Sequence, residues 1–385
     1  MNSFAFNTVA RIIFGDGSAL KLSEQCAVLG LKKPLLVTDP GLVSIGLIEP
    51  VRTALAQAGL APVMFDQVRE DPPEQTVFDA VALAQEHDVD GVIAVGGGSS
   101  MDVAKVVAVL LGGDQTLDQL YGVDQVRGGR LPLILVPTTA GTGSEVTPVA
   151  IVTTGETTKA GVSSASLLPD FAVLDADLTL GLPPAITAMT GIDAMVHAIE
   201  AYTSKHKKNP LSDNLARQAL ALLSANVRAA VSDGSNKVAR GNMLLGAMLA
   251  GQAFANAPVA AVHALAYPLG GHYHIPHGLS NSLVLPAVLS YNAEEASVLY
   301  GELADIVVDR PLRGESDESK TAALIEALVQ MIKDVQLPAT LSAAHVAEHD
   351  LEMLAADAML QQRLLINNPR EVAYEDALSI YRAAF

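Results

Sequence analysis

One carboxylate and three imidazoles form the first candidate site in this sequence. Asp193 and His197 lie four residues apart in a helix-forming segment, so both side chains project from the same face, one turn apart. His263 and His277 follow later in the chain. One carboxylate oxygen with three nitrogens suits Fe(II) or Zn(II) and is too rich in nitrogen for Mg²⁺ or Ca²⁺. These four residues are the predicted metal ligands, and four unrelated histidine and aspartate side chains are the alternative interpretation.

A glycine turn between an apolar run, residues 91–95, and a helical pattern is the second candidate site. Glycines let the backbone approach an anion closely, and the start of a helix favours a phosphate. A tight turn without a ligand also needs glycine, and Met101 stands where a Gly-x-Gly-x-x-Gly fingerprint requires its third glycine. The candidate cofactor contacts in this turn are Gly96, Gly97, Gly98, Ser99 and Asp102.

Two further polar loops follow apolar runs. Asp39 comes directly after residues 34–38, where a carboxylate can accept hydrogen bonds from the adenosine ribose and repel a 2′-phosphate. An aspartate before Pro-Gly is equally typical of an ordinary turn. Residues 137–147 carry several hydroxyls and two glycines, which offer small donors to a pyrophosphate or a nicotinamide carboxamide. A polar loop without a ligand would have a similar composition.

Composition limits the class of protein. A chain of 385 residues is too long for one compact core and predicts two domains. The net charge of −18 argues against nucleic acid and anionic membrane surfaces as partners. The single cysteine, Cys26, fits a reducing compartment, and the N-terminus lacks the pattern of a secretory signal, so we expect a cytoplasmic protein. Residues 241–271 carry no charge, but their small and polar residues favour two buried helices broken near Pro258 over a membrane span.

Secondary-structure patterns divide the chain at residues 180–184, a segment of leucine, glycine and proline that we predict to be the hinge between two domains. Before it, apolar runs alternate with helical patterns, which predicts a largely parallel sheet covered on both faces. The predicted strands are residues 34–38, 62–65, 91–95 and 131–136. After it the pattern is helical, and the predicted helices are residues 213–230, 238–257, 294–308, 319–335, 351–361 and 374–384. We therefore predict an α/β nucleotide-binding domain at 1–182 and an all-helical metal-binding, catalytic domain at 183–385.

Residues 190–202, TGIDAMVHAIEAY, together with His263 and Pro276-His277-Gly278, resemble the metal-binding signature of the iron-containing (group III) alcohol dehydrogenases. The resemblance extends over nearly the whole chain, through the glycine turn, the loop at 137–147 and the segment 368–370. It implies a dehydroquinate synthase-like fold, with an α/β NAD-binding domain followed by an all-helical domain that holds the metal.

The resemblance also implies an activity, the interconversion of a small primary alcohol or diol and its aldehyde with NAD(H). Fe(II), or Zn(II) in purified protein, would act as a Lewis acid on the alcohol or carbonyl oxygen. Asp39 matches the position that favours NAD over NADP, and a homodimer or a larger homo-oligomer is expected. The cofactor contacts implied by the resemblance in the later loops are Thr138, Thr139, Thr142, Thr147, Lys159 and Leu178.

The chain departs from the family pattern at two positions. Tyr267 stands where the better-known alcohol-oxidising members have a histidine, and a tyrosine is a poorer base at neutral pH. We expect Tyr267, beside Phe254 in the substrate pocket, to hydrogen-bond the substrate or a relay water, with His277 as the second catalytic residue; His272 or His274 is an alternative relay. Asp71 stands where family members often have the asparagine of an Asn-Pro-Thr segment near the cofactor. Because of this extra carboxylate, the sequence does not specify how the ribose is bound.

Two other functions remain open at this point. A hydroxyacid dehydrogenase or hydroxyacid-oxoacid transhydrogenase of the same superfamily resembles the chain in having Tyr-Pro at residues 267–268. Such an enzyme needs a cation for the substrate carboxylate, and the sequence does not identify one. A metal- or nucleotide-binding protein without catalysis is the alternative from another class.

Overall fold

The computed structural model describes residues 3–155 and 158–385, which form two compact units. Asn7–Leu180 make up the first unit. Gly181–Phe385, together with the residues up to Phe6, make up the second. The division falls within the leucine-, glycine- and proline-containing segment at 180–184.

The first unit is built on a six-stranded sheet in the order β1-β9-β6-β4-β2-β3, and all of its strand pairs are parallel. A second sheet has the order β5-β8-β7. The predicted parallel sheet is confirmed. The strands are β1 (Arg11–Phe14), β2 (Pro34–Val37), β3 (Val63–Phe65), β4 (Gly91–Gly96), β5 (Gly122–Val123), β6 (Leu133–Pro137), β7 (Val149–Thr154), β8 (Thr158–Ser163) and β9 (Phe171–Leu174).

Both faces of the large sheet are buried, which explains why its central strands are continuous apolar runs. Along β4, Val92 and Ala94 pack into one core, while Ile93 and Val95 pack into another. Gly96 pairs with Pro137 of β6, and Val37 of β2 pairs with Ala94. The carboxyl ends of β2, β4 and β6 therefore lie side by side, and all three polar loops of the sequence begin at this edge.

Five of the observed strands were missing from the prediction, and one of them, β5, is only two residues long. β1 and β9 are only four residues long, and β1 is exposed along most of its length. β7 and β8 form an antiparallel pair. β8 is polar and rich in small residues, whereas β7 begins with an apolar run, residues 149–152, that the prediction overlooked. Because β1 precedes the predicted strands, the glycine turn follows the fourth strand of the chain and not the third.

Helices cover the sheet and make up almost all of the second unit. The helices of the first unit are α1 (Leu22–Leu29), α2 (Pro40–Ser44), α3 (Glu49–Gln57), α4 (Glu74–Glu86) and α5 (Gly98–Gly112). Those of the second are α6 (Pro184–Thr203), α7 (Pro210–Ser232), α8 (Lys237–Asn256), α9 (Ala261–Tyr273), α10 (His277–Val307), α11 (Asp317–Asp334), α12 (Leu351–Ala358), α13 (Gln362–Leu365) and α14 (Tyr374–Ala384). The predicted break near Pro258 is confirmed.

Helix α10 is longer than predicted. The sequence placed its start at residue 294, but the helix begins at His277 and continues through Pro286. An internal proline removes a backbone hydrogen bond and costs about 3 kcal/mol. Leu283, Leu285 and Leu289 are buried around it, and this apolar burial offsets the cost. The correction matters because it makes His277 the first residue of the longest helix.

The charge-free segment is folded as part of the helical unit. Among the described residues, no single helix has the length and apolar composition to cross a bilayer. Helices α8 and α9 meet those two criteria only as a pair, bent by 106° at their break.

Cys26, the one cysteine of the chain, is buried on α1. Burial, assisted by the carboxylate of Asp90, raises the pKa of the thiol to about 11. The side chain is therefore a protonated, buried apolar group at neutral pH.

Candidate active site

The structure brings the four predicted metal ligands together. Asp193 and His197 lie on α6, His263 lies on α9 and His277 begins α10. One ligand atom of each residue lies within 4.8 Å of the others. The Nε2 atoms of the histidines lie 3.7 to 3.9 Å from Oδ1 of Asp193. Tetrahedral coordination with bonds of about 2.1 Å needs donors roughly 3.4 Å apart, so the cluster fits a Zn(II)- or Fe(II)-sized ion.

The charge state of Asp193 suits this role. Burial would raise its pKa, but the three neighbouring histidines and the Asn281 amide hold the pKa of the carboxyl below its usual range. The residue is 2% exposed. An ionised carboxylate in so enclosed a position needs compensating positive charge or hydrogen bonds, which an ion at the cluster also supplies.

Asn281 is a member of the cluster that the sequence analysis missed. Its Nδ2 lies 2.6 Å from Oδ1 of Asp193 and 3.2 Å from Nε2 of both His263 and His277. A hydrogen-bond donor thus stands beside three of the four ligand atoms, which shows that their lone pairs converge. Asn281 follows His277 by one helical turn on α10, and that spacing was the signal available in the sequence.

Glu200 is the second residue that was missed. Its carboxylate lies 2.6 Å from Nδ1 of His263 and accepts a hydrogen bond of 2.7 Å from the backbone N–H of Val262. Because the Nδ1 proton is held by Glu200, Nε2 of His263 presents its lone pair to the cluster. Glu200 lies seven residues after Asp193, on the same face of a helix that is otherwise largely apolar.

Aromatic side chains enclose one side of the cluster and leave another open. The ring of His197 stacks between Phe254, at 4.4 Å, and His263, at 4.8 Å. The side chain of His277 is 45% exposed, and the ring of Tyr267 lies 5.9 Å from it. Tyr267 and His277 therefore border the accessible side of the metal ligands. Phe254, which is partly exposed, contacts the cluster through the ring of His197.

The two alternative relay histidines lie on the surface. His272 is exposed and pairs with Asp357 on α12. His274 ends α9 in the left-handed conformation and is exposed as well. The structure does not bring either residue into the cluster of metal ligands, and Tyr267 remains the candidate relay.

Gly278 explains how α10 approaches α6. A Cβ atom at this position would lie 2.4 Å from the backbone oxygen of Met189, a distance that requires the backbone to move. We expect Gly278→Ala to displace His277, the adjacent ligand, and to lower affinity for Zn(II) about tenfold, measured by chelator competition. Gly271→Ala is the control, because a Cβ there meets no atom within 4 Å. Unchanged affinity in Gly278→Ala would show that the helix N-terminus adjusts without moving the ligand.

The predicted cofactor residues Asp39, Gly96, Gly97 and Gly98 and the nearby threonines lie at one edge of the parallel sheet. Asp39 caps α2, where its side chain accepts a hydrogen bond from the N–H of Leu42. Cβ atoms built on the glycines would lie 3.8 Å from Asp39 at Gly96, 3.8 Å from Thr139 at Gly97 and 2.8 Å from Thr142 at Gly98. A Cβ atom at Gly96 would also lie 2.6 Å from Ser100 in the same turn. Glycine is therefore required at Gly96 by the turn itself and at Gly98 by the approach of the polar loop, whereas a Cβ atom at Gly97 would make only ordinary contacts.

Asp102 and Thr147 belong to a buried network around Lys105. Asp102 accepts hydrogen bonds from the hydroxyl of Ser144, at 2.6 Å, and the N–H of Ile151, at 3.0 Å. Nζ of Lys105 donates to Ser144 at 2.7 Å and to Thr147 at 3.2 Å. Burial lowers the pKa of Lys105 to about 8, although Asp102 and Glu145 act in the opposite direction. The network fixes the polar loop against α5.

Two of the remaining predicted contacts, Lys159 and Leu178, are engaged in contacts within the protein. Lys159 forms an ion pair with Asp71 and a hydrogen bond of 3.3 Å with Thr153. The extra carboxylate at residue 71 is thus neutralised within the protein. Leu178 packs in the core on the α1 and α3 side of the sheet, Thr138 is 2% exposed at the end of β6, and Ser99 is partly exposed on the first turn of α5.

Glu145 gives the first unit a pH-dependent stability. Burial raises the pKa of this carboxyl to about 7, and no described residue hydrogen-bonds its Oε2. The unfolded chain releases this proton near pH 4.5 and the folded chain near pH 7, so the free energy of unfolding falls as pH rises through this window. The loss is on the order of 3 kcal/mol.

We expect Glu145→Gln to remove most of this decline between about pH 5 and pH 8, measured by urea denaturation at both pH values. The exposed Glu86→Gln is the matched control in the same unit and should retain the wild-type pH dependence. Parallel pH dependence of the wild type and Glu145→Gln would contradict the assignment.

The first unit has the polar edge of a parallel sheet at which ligands bind in α/β proteins, and the second has a ligand cluster suited to a divalent metal ion, so the chain has the features of a metal-dependent enzyme. Comparison with known proteins specifies the family. Residues 9–176 match the family described as iron-containing alcohol dehydrogenase, and residues 187–385 match its C-terminal domain. The chain belongs to the iron-containing alcohol dehydrogenase family. The predicted fold class, an α/β domain with a parallel sheet followed by an all-helical domain, is confirmed.

Relatives cover the chain from end to end. A long-chain-alcohol dehydrogenase 1 of Geobacillus thermodenitrificans is 43% identical, over 98% of this chain and 97% of its own length. A crystal structure of a 1,3-propanediol oxidoreductase superimposes with a TM-score of 0.96 at 35% identity, covering all of both chains. A sulfoacetaldehyde reductase from Bifidobacterium kashiwanohense, solved in complex with NAD⁺, gives a TM-score of 0.90 at 27% identity, covering 100% of this chain and 99% of its own.

Proposed function

We propose that this protein interconverts a small primary alcohol or diol and its aldehyde with NAD(H), with Fe(II) as the metal of the working enzyme. The observation that supports this most directly is the convergence of Asp193 with three histidines in one unit. The relatives are named for alcohols, a diol and an aldehyde, which share the same pair of oxidation states.

The metal, when bound, polarises the alcohol or carbonyl oxygen as a Lewis acid, and NAD accepts or returns the hydride. Asp193, His197, His263 and His277 would hold the ion. Glu200 orients His263 through its Nδ1 proton. His277 is the exposed member of the cluster, so a substrate oxygen would approach the ligands from its side.

Asp39, Gly96 to Gly98 and the neighbouring threonines are the proposed cofactor contacts. The amides that open α5 face the edge where the pyrophosphate would bind, since helix N-termini favour anions. Asp39 would accept hydrogen bonds from the adenosine ribose and repel the 2′-phosphate of NADP. Asp102 and Thr147 would act by holding the loop in place, because the network around Lys105 already uses their polar atoms.

Alcohol-dependent NADH formation tests the proposed function. Protein stripped of metal and reconstituted anaerobically with Fe(II) should reduce NAD in the presence of a series of small primary alcohols. The stripped protein is the control and should be inactive. Failure to form NADH with any alcohol, and to consume it with any aldehyde, under full Fe(II) occupancy would reject the enzyme in favour of a non-catalytic binding protein.

Tyr267 is the proposed proton relay. Its ring lies 5.9 Å from that of His277, within reach of a substrate oxygen or a bridging water on the accessible side. We expect Tyr267→Phe to lower kcat about tenfold and to alter its pH profile, with metal affinity unchanged. Steady-state rates between about pH 6 and pH 10 check this. A wild-type rate and profile in Tyr267→Phe would assign the residue to pocket shape alone.

We also propose a cytoplasmic homodimer or larger homo-oligomer. β1 is an edge strand that pairs only with β9 among the described residues, and it exposes Ile12 and Phe14. An exposed apolar edge of this kind is suited to pairing with a second copy. Light scattering should give a multiple of the 40.1 kDa chain mass, and a monomer would contradict the proposal.

The single cysteine supports the reducing compartment, which cell fractionation checks.

A further inference from the structure

Arg363 places a positive charge close to Tyr267. It lies on the short helix α13, and its guanidinium carbon is 6.0 Å from the centre of the Tyr267 ring. The side chain is exposed. Within the described ranges, no carboxylate lies at ion-pair distance from this guanidinium. What distinguishes this arginine is its place beside Tyr267, on the accessible side of the metal ligands.

The backbone that carries Arg363 is anchored to the helical unit. The side-chain amide of Asn367 donates to the carbonyl of Val259, at 3.1 Å, and to that of Arg363, at 3.0 Å. The carbonyl of Asn367 in turn accepts from the N–H of Lys205 at 2.8 Å. Leu364 and Leu365 of the same helix are buried. These contacts fix the backbone of α13, from which the Arg363 side chain extends, against the segment that precedes α9.

Tyr267 connects this cation to the metal ligands. Its ring lies 6.0 Å from the Arg363 guanidinium carbon and 5.9 Å from the ring of His277. The distance from the Arg363 guanidinium carbon to the centre of the His277 ring is therefore no greater than the sum of these two distances. A guanidinium beside an aromatic ring still has its N–H groups available in its own plane, where they bind carboxylate or sulfonate oxygens in pairs.

We propose that Arg363 binds an anionic head group on the substrate, so that the preferred substrates are short primary alcohols and aldehydes bearing a terminal carboxylate or sulfonate. This inference rests on the proposed function and specifies its substrate class. The reaction remains balanced: the alcohol carbon gives a hydride to NAD⁺ and its oxygen gives a proton to solvent, which yields the aldehyde, NADH and H⁺. The anionic group takes no part in the chemistry and only positions the reacting carbon.

Paired substrates of equal carbon count test the proposal. Fe(II)-reconstituted protein is assayed with 4-hydroxybutyrate and 1-butanol, and with 3-hydroxypropanesulfonate as the sulfonate probe. We expect Arg363→Met to lower kcat/KM for an anionic substrate about 10- to 100-fold, mainly through KM, and to change it less than about twofold for 1-butanol. Arg363→Lys should restore part of the loss because it keeps the charge.

Arg228→Met is the matched control, since it removes the same charge from an exposed position that pairs with Asp334. It should leave the ratio of the two rates unchanged. Equal losses for 1-butanol and 4-hydroxybutyrate in Arg363→Met, or a raised KM for NAD with both, would overturn the proposal. If the protein oxidises 1-butanol and Arg363→Met does not change kcat/KM for the anionic substrates, the proposal for Arg363 is overturned. The proposed function then remains intact. A larger loss with one anion than the other supports it and identifies the head group.

Discussion

We expect Asp193→Asn to abolish metal binding and, with it, alcohol-dependent reduction of NAD. Asp193 is the only anionic donor among the four ligands, and it is 2% exposed. In that enclosed position its attraction for a dication is weakly screened, so an uncharged amide loses most of it. The affinity for Zn(II) or Fe(II) should fall at least about 1000-fold, or about 4 kcal/mol.

Equilibrium dialysis followed by metal analysis measures this change directly. Asp213→Asn is the control, because Asp213 is a partly exposed aspartate of α7 that forms an ion pair with Lys208. Affinity for NAD should stay at the wild-type value, since every proposed cofactor contact lies in Asn7–Leu180. An Asp193→Asn protein that still binds one ion per chain tightly would remove the carboxylate from the ligand set.

Glu200→Gln is expected to lower metal affinity 10- to 100-fold although Glu200 is not itself a ligand. The glutamine oxygen can still accept the hydrogen bond of Val262, which turns the amide NH₂ toward Nδ1 of His263. Nδ1 must then accept, so the ring proton moves to Nε2, the atom that faces the other ligands. The substitution therefore changes the tautomer of a ligand without changing the shape of the site.

Zn(II) titration against a chelator gives the affinity, and NMR of the histidine ring nitrogens reports the tautomer. Glu302→Gln is the matched control, because that exposed glutamate accepts a hydrogen bond from the hydroxyl of the buried Tyr202. If Glu200→Gln keeps the wild-type affinity and the Nδ1–H tautomer, the carboxylate serves only to hold the start of α9.

Part of the metal site could be predicted from the sequence because two of its ligands share one helix face. Asp193 and His197 are recognisable from their spacing, whereas His263 and His277 were assigned through the family motif. Glu200 and Asn281 lie one turn from ligands, but their partners are remote in sequence, such as His263 for Glu200 and Asp193 for Asn281. Spacing shows which face a side chain occupies and not what packs against it.

The same reasoning explains the errors in the fold. Central strands such as β4 are buried on both faces and are visible as apolar runs, while the four-residue strands β1 and β9 are too short to stand out. α10 was cut short because Pro286 has the local signature of a helix end. Arg363 could not be found at all, since an exposed arginine on a one-turn helix has no pattern that distinguishes it from a solvated surface residue.

The burial of Cys26 has a practical consequence for experiments on the intact chain. With its thiol protonated and enclosed, the protein presents no native site for maleimide chemistry at neutral pH. A cysteine introduced at an exposed position will therefore be the one thiol that reacts. Dyes attached in this way to one position in each unit would report the separation of the two units in solution, with and without NAD, in an otherwise unaltered protein.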